Sequence, residues 1–284
     1  MTKIIDGKLV TSEVRKATAS EISEFKEKYG VTPGLAVILV GNDPASAVYV
    51  RNKHKGCLEV GINSYEIKMG EETTEEELIS QIDKLNSDEN VHGILVQLPL
   101  PKHINEDRIL NRISPKKDVD AFHPENVGKI MLGKYAFLPC TPAGIMELLA
   151  FYNVDIEGKE CVVLGRSNIV GKPMSQLLLA KNGTVTVCHS KTKNLAEVTK
   201  RADILVVAIG KALFVGTEMV KEGAVVIDVG INRLPDGKLC GDVDFDSVSS
   251  VASMITPVPG GVGPMTITML LKNTLTAAKL SILK

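Results

Sequence analysis

Three polar side chains, Ser46, Tyr49 and Lys53, lie three and four residues apart just after Asn42-Asp43-Pro44. Asp43 can cap a helix whose first residue is Pro44, and on that helix all three would share one face. Such a pair of Tyr49 and Lys53 can simply be an exposed surface feature. Packed together in a cleft, it would instead give a lysine whose partial desolvation lowers its pKa towards the general acid/base range. Gln97 closes an apolar run from Val91 to Leu98, just before Pro99 and Pro101. The carboxyl end of a strand is where open α/β sheets bind ligands, although a strand-end glutamine also serves to bond nearby backbone. Pro99 is a candidate for a cis peptide bond. Asp118 and Asp120 sit two residues apart in a loop-like stretch. A turn is the default reading there, with ligand contact or helix capping as alternatives.

A second chemistry is written between Cys161 and Ser190. An apolar run (161–164) meets Gly165-Arg166-Ser167, a helical segment follows Gly171-Lys172-Pro173, and Asn182-Gly183 precedes a second apolar run (184–188). Strand, glycine turn, helix and strand within this length form a βαβ unit, whose first turn offers backbone N–H groups and a helix dipole to a pyrophosphate. Ser167 replaces the second glycine of the dinucleotide fingerprint. The second strand ends Val187-Cys188-His189-Ser190-Lys191, without the carboxylate that bonds the ribose 2′-hydroxyl of NAD. Arg166 could meet a 2′-phosphate in a forked contact, with Ser190 and Lys191 as further donors, so NADP is favoured; a solvated arginine is the alternative. Val258 to Pro264 holds three glycines among prolines, a stretch where backbone can approach a ligand closely or merely link two domains.

The elements that would position these groups follow from periodicity. Helices are predicted over 9–29, 44–59, about 74–86, about 142–152 and 265–279, and strands over 35–40, 64–69, 91–98, 204–208 and 224–229. Thr73 with Glu76 fits a capping box, and Thr141 a cap before Pro142. Alternating strands and helices predict an α/β fold with a parallel sheet.

Composition narrows the class. The 284 residues, 44% hydrophobic, suit two domains, and a formal charge of −1 gives no general attraction to nucleic acid or acidic membranes. Five cysteines without a CxxC pair point to buried thiols in a reducing compartment. With no long apolar segment, the expectation is a soluble cytoplasmic protein. The five histidines lack metal-ligand spacing, and no nucleophile elbow or Walker A loop is present, so a metal-free redox enzyme is favoured.

Taken together, residues 46–62, 93–101, 117–122, 139–149, 162–173, 185–192, 202–210 and 256–266 resemble, in order, the methylenetetrahydrofolate dehydrogenase/methenyltetrahydrofolate cyclohydrolase family over essentially the whole chain. The resemblance implies an N-terminal folate-binding catalytic domain (1–140, rejoined by a C-terminal helix, 265–284). It would face a Rossmann NADP-binding domain (141–264) across a cleft. It further implies a homodimer formed through the Rossmann domain, and NADP-dependent oxidation of 5,10-methylenetetrahydrofolate followed by hydrolysis to 10-formyltetrahydrofolate. This one-carbon metabolism feeds purine, methionine and histidine synthesis. By motif, Lys53 would be the cyclohydrolase acid/base, Tyr49 would stack on the folate, and Gln97 would hold Lys53. Asp120 would anchor the pterin, with Leu98, Pro259, Gly260 and Gly261 lining the substrate site. Gly165, Arg166, Ser167, Ser190 and the backbone near Ile231 would hold NADP. A dehydrogenase without the cyclohydrolase, using NAD or NADP, and a Rossmann-type binding protein without chemistry are the competing readings.

Overall fold

The apolar runs within 35–40, 93–96, 161–164, 204–207 and 225–228 become strands buried on both faces, as parallel sheets require, whereas 184–188 stays partly exposed. The computed structural model describes residues 2–282, apart from the Ala45 side chain. In chain order, the first half holds β1 (Lys3–Ile4), α1 (Gly7–Tyr29), β2 (Gly34–Val40), α2 (Pro44–Val60), β3 (Asn63–Met69), α3 (Glu75–Ser87), β4 (Gly93–Val96), α4 (Glu106–Leu110) and α5 (Pro124–Met131). There follow α6 (Cys140–Phe151), β5 (Glu160–Leu164), α7 (Gly171–Leu179), β6 (Thr184–Cys188), α8 (Leu195–Thr199), β7 (Ile204–Val207) and β8 (Val225–Asp228). A short hairpin of β9 (Asn232–Arg233) and β10 (Leu239–Cys240), then α9 (Phe245–Val248), β11 (Met254–Ile255) and α10 (Val262–Ile282), complete the chain.

Two compact units emerge. One comprises Met1–Ser12 and Thr141–Thr266, the other Glu13–Cys140 and Ile267–Lys284. The first contains a six-stranded sheet in the order β1-β11-β8-β7-β5-β6, parallel throughout. Its core gathers Val162, Leu164, Leu205, Val207, Val226 and Ile255. The second contains a three-stranded parallel sheet, β3-β2-β4, with Ile38, Ile94, Leu78, Ile82 and Ile109 at its centre. Burying each such side chain contributes about 1.5–3 kcal/mol. No helix among the described residues is long and apolar enough to cross a membrane.

Local signals place α2 as expected: the Asp43 carboxylate accepts from Ser46 N at 2.7 Å, and Gly61 closes the helix in the left-handed conformation. Elsewhere the register differs. The capping box belongs to Thr74 and Glu77, one residue on from the expected pair, because three consecutive glutamates (75–77) satisfy the motif in either register. Thr141 lies inside α6 rather than capping it, and its hydroxyl pairs with that of Thr266 at 3.0 Å. Helix α10 begins at Val262, three residues earlier than periodicity suggested, because a proline in the first turn lacks only an N–H that no helical carbonyl would have accepted. Strands β1 and β11 are too short for any periodic signal and were not foreseen.

Replacing Thr74 with Ala removes the hydroxyl that accepts from Glu77 N, while the backbone N–H at 74 still donates to the Glu77 carboxylate, and thermal unfolding should report a loss of about 1 kcal/mol. An unchanged melting temperature would mean that the box contributes nothing.

Candidate active site

The Glu13–Cys140 unit brings Lys53, Gln97 and Asp120 together. Lys53 projects from α2 and is only 8% exposed. Gly56, one turn further on, lets α2 approach α10: a Cβ there would meet Leu271 and Ile267 at 3.2 and 3.3 Å. Gln97 follows β4 and is fixed by its own backbone, with Gln97 N donating to Ile38 O. Its side-chain Nε2 donates to the Leu98 carbonyl at 2.7 Å, and its Oε1 accepts from Lys53 Nζ at 2.8 Å. A backbone carbonyl can only accept, so the Leu98 contact dictates which way the amide faces. The Leu98–Pro99 peptide bond is cis. The Leu98 side chain packs against the apolar core.

Asp120 is placed by what precedes it. Ile94 N donates to Lys117 O, laying residues 117–118 along β4. The Asp118 carboxylate accepts from His123 N and Asn126 Nδ2, both at 2.8 Å. Val119 is fully buried, and Gly93 makes room for it, since a Cβ on Gly93 would stand 2.9 Å from Val119 Cγ1. The two aspartates therefore divide the alternatives: Asp118 builds the turn, and Asp120 enters the field of Lys53.

Electrostatics follow from burial. Desolvation pushes the Lys53 amine down from the ordinary lysine range, while the negative charge of Asp120 pulls it back up. Burial likewise raises the Asp120 carboxyl, against the lowering effect of Lys53 and a hydrogen bond from Cys140. Each group thus lies close enough to shift the other. Cys140 is the member that sequence reasoning missed. Its buried thiol lies 3.5 Å from Val119 O and within hydrogen-bonding reach of the Asp120 carboxyl. Sequence alone offers it only as one of five buried thiols. Tyr49 behaves differently from its helix neighbours. Ser46 and Lys53 are buried, whereas Tyr49 is 39% exposed, leaving its ring open to an incoming molecule.

The Thr141–Thr266 unit carries the glycine turn. Gly165 has φ +133°, and a Cβ there would stand 2.3 Å from the Ala208 carbonyl oxygen. A Cβ on Gly171 would stand 2.2 Å from the Gly165 oxygen. These two positions meet the requirement for a tight turn and for close helix–strand packing. The Ser167 hydroxyl accepts from Val170 N and Gly171 N at 3.1 and 3.3 Å, so it starts α7. Arg166 and Ser190 are exposed, and no carboxylate stands among residues 187–191. Ile231 is exposed, Pro259 is exposed and joined to Val258 by a cis bond, and Gly260 and Gly261 are buried.

Beyond β7 and β8 the loops are tied by two buried acids. Asp242 accepts from Ile209 N, Gly210 N, Lys211 N and Asn232 Nδ2 at 2.7–2.9 Å. Asp228 accepts from Gly230 N, Asp242 N and Val243 N at 2.9–3.0 Å, and burial nonetheless raises its carboxyl to about 6. Among the described residues no cluster of His, Cys, Asp and Glu could hold a metal ion.

A parallel sheet with a dinucleotide turn, on a chain that also holds a desolvated lysine, defines a nucleotide-dependent α/β enzyme. Comparisons give the family. The family model described as the catalytic domain of tetrahydrofolate dehydrogenase/cyclohydrolase matches residues 5–120, and that of its NAD(P)-binding domain matches residues 139–282. The bifunctional protein FolD of Acetivibrio thermocellus is 63% identical over 278 residues, covering 98% of this chain and 97% of its own. The crystal structure of the bifunctional FolD dehydrogenase/cyclohydrolase of Campylobacter jejuni superposes with a TM-score of 0.96 at 51% identity, covering 99% of this chain and all of that one. The Trypanosoma brucei dehydrogenase–cyclohydrolase, solved with NADP and an inhibitor, gives 0.95 at 41% identity, covering 99% and 98%. The chain belongs to the tetrahydrofolate dehydrogenase/cyclohydrolase family.

Removing the Asp120 charge removes the largest influence that raises the Lys53 amine. In an Asp120→Asn variant, Lys53 should therefore titrate at lower pH than in the parent when followed by nitrogen-detected NMR of labelled lysines. An unmoved or raised titration would separate the two groups.

Proposed function

We propose that Lys53 carries the proton transfers of a bifunctional enzyme that oxidises 5,10-methylenetetrahydrofolate with NADP and hydrolyses the methenyl product to 10-formyltetrahydrofolate. The observation that carries this reading is the buried Lys53 amine, held by Gln97 Oε1 at 2.8 Å and desolvated beside Asp120. The first step takes a hydride from the methylene carbon to the nicotinamide ring. The two flanking nitrogens share the resulting positive charge, so the protein mainly has to align donor and acceptor and exclude water. The second step adds water to that cation. A proton leaves the attacking water, the bond from carbon to N5 breaks as N5 takes up a proton, and the added hydroxyl gives up its remaining proton to become the formyl oxygen, so that one proton is released overall. One hydrogen of Nζ is committed to Gln97, so in the neutral amine a lone pair remains for the water. The lowered pKa makes that neutral form more abundant near neutrality than for an exposed lysine.

In the same reading Asp120 accepts from the pterin, the open ring of Tyr49 stacks on it, and Leu98, Pro259, Gly260 and Gly261 line the substrate. NADP sits on the turn Gly165-Arg166-Ser167, with Ser190 and the backbone at Ile231 completing its contacts. Exposed Arg166 and the acid-free end of β6 support a 2′-phosphate in preference to a free hydroxyl. Ser167 serves this site through its backbone, its hydroxyl being engaged at the start of α7. NADP supplies hydride acceptance, and the chain's groups bind, orient and move protons. The open edge strand β6, with Val187 exposed on it and Leu179 exposed at the end of α7, supports a homodimer through this unit. Five free cysteines support a reducing cytoplasm, where the product would feed purine, methionine and histidine synthesis.

Absorbance of the methenyl compound and of NADPH, after methylenetetrahydrofolate and NADP are added, tests both activities. Lys53→Met should abolish cyclohydrolase turnover while part of the dehydrogenase activity persists, and full cyclohydrolase activity would remove Lys53 from its role. Arg166→Ala should raise KM for NADP roughly tenfold or more with little change for NAD, reflecting loss of a charge-assisted pair. Equal changes for both nucleotides would sink the phosphate contact.

A further inference from the structure

Helix α10 contains a buried polar residue that the chemistry above does not use. Asn273 is 7% exposed among Leu270, Leu271, Leu275 and Ala277, all buried. An amide in such surroundings is costly unless it is bonded. Its Nδ2 donates to Val119 O at 2.8 Å and to Leu138 O at 2.9 Å, with Cys140 Sγ at 3.7 Å. Both amide hydrogens are thereby spent on backbone carbonyls of two separate segments. One carbonyl immediately precedes Asp120. The other lies two residues before Cys140, whose thiol reaches the same carboxyl. Among the described residues outside helices, no backbone–backbone hydrogen bond joins 118–121 to 138–140.

We propose that Asn273 is a positioning residue: its amide ties these two segments together and so holds Asp120 in place opposite Lys53 for folate binding. The proposal rests on the reading of Asp120 as the pterin anchor. Asn273 touches no reacting group, and acts only by fixing the backbone that carries Asp120. Leucine at this position would fill similar space but take the amide donor from both carbonyls, leaving Val119 O only the 3.5 Å contact of the Cys140 thiol, which frees the 119–120 backbone to shift.

The test compares Asn273→Leu, Asn273→Ser and Asp120→Asn in the full chain. For Asn273→Leu we expect KM for methylenetetrahydrofolate to rise about tenfold and KM for NADP to stay within twofold. The Lys53 NMR titration should also move to lower pH, in the direction expected for Asp120→Asn. Asn273→Ser keeps one donor and should fall between Asn273→Leu and the parent, and it carries the test if the leucine variant does not fold. A lowered melting temperature with unchanged folate KM and unchanged Lys53 titration would overturn the proposal, leaving Asn273 a structural residue. A parallel rise of both Michaelis constants would overturn it as well. If Asp120→Asn itself leaves the folate KM unchanged, the anchoring role of Asp120 fails and the proposal falls with it. A raised KM in Asp120→Asn but not in Asn273→Leu removes Asn273 alone.

Discussion

A lysine amine withdrawn from water must be compensated where it lies, and the Lys53–Gln97–Asp120 grouping does this by unequal means. The Gln97 oxygen takes one hydrogen whatever the charge state, so it fixes position without dictating protonation. Asp120 opposes desolvation through its charge, and Lys53 opposes the desolvation of Asp120 in return. Burial of the pair leaves each less committed to its ionised form than it would be in water. A full ion pair would lock the amine as a cation, and complete isolation would leave it always neutral. Proton transfer in both directions needs the intermediate condition.

The two units meet their tasks with different materials. The unit with the glycine turn is shaped there largely by backbone, with glycines that allow close approach and a helix start secured by a serine. The lysine unit works through side chains whose environment sets their charge. That difference matches the chemistry: a pyrophosphate needs N–H groups and shape, whereas adding water to a cation needs a group that changes protonation state.

Much of this was legible in the sequence for identifiable reasons. The βαβ stretch announced itself through Gly165, Gly171 and Asn182-Gly183, because backbone geometry there excludes most other residues. Asp43-Pro44 fixed the start of α2 and with it the shared face of Ser46 and Lys53. What escaped was whatever depends on distant parts of the chain. Cys140 and Asn273 gain their meaning from Val119 and Asp120, which lie 20 or more residues away. Tyr49 shows the limit of face arguments, since a residue on the same side of a helix as a buried lysine can still sit at the rim. The degenerate run of glutamates after Thr73-Thr74 left two capping registers equally good on paper, and tertiary structure selected one.

The carboxylates of Asp242 and Asp228 occupy the backbone donors of the loops beyond β7 and β8 from within the chain. Loops held in this way have little freedom left to lose, so a ligand that met them would cost little in loop ordering. The surface these loops present is thereby set before any ligand meets it. The exposed residues around the glycine turn can change without disturbing the buried acids.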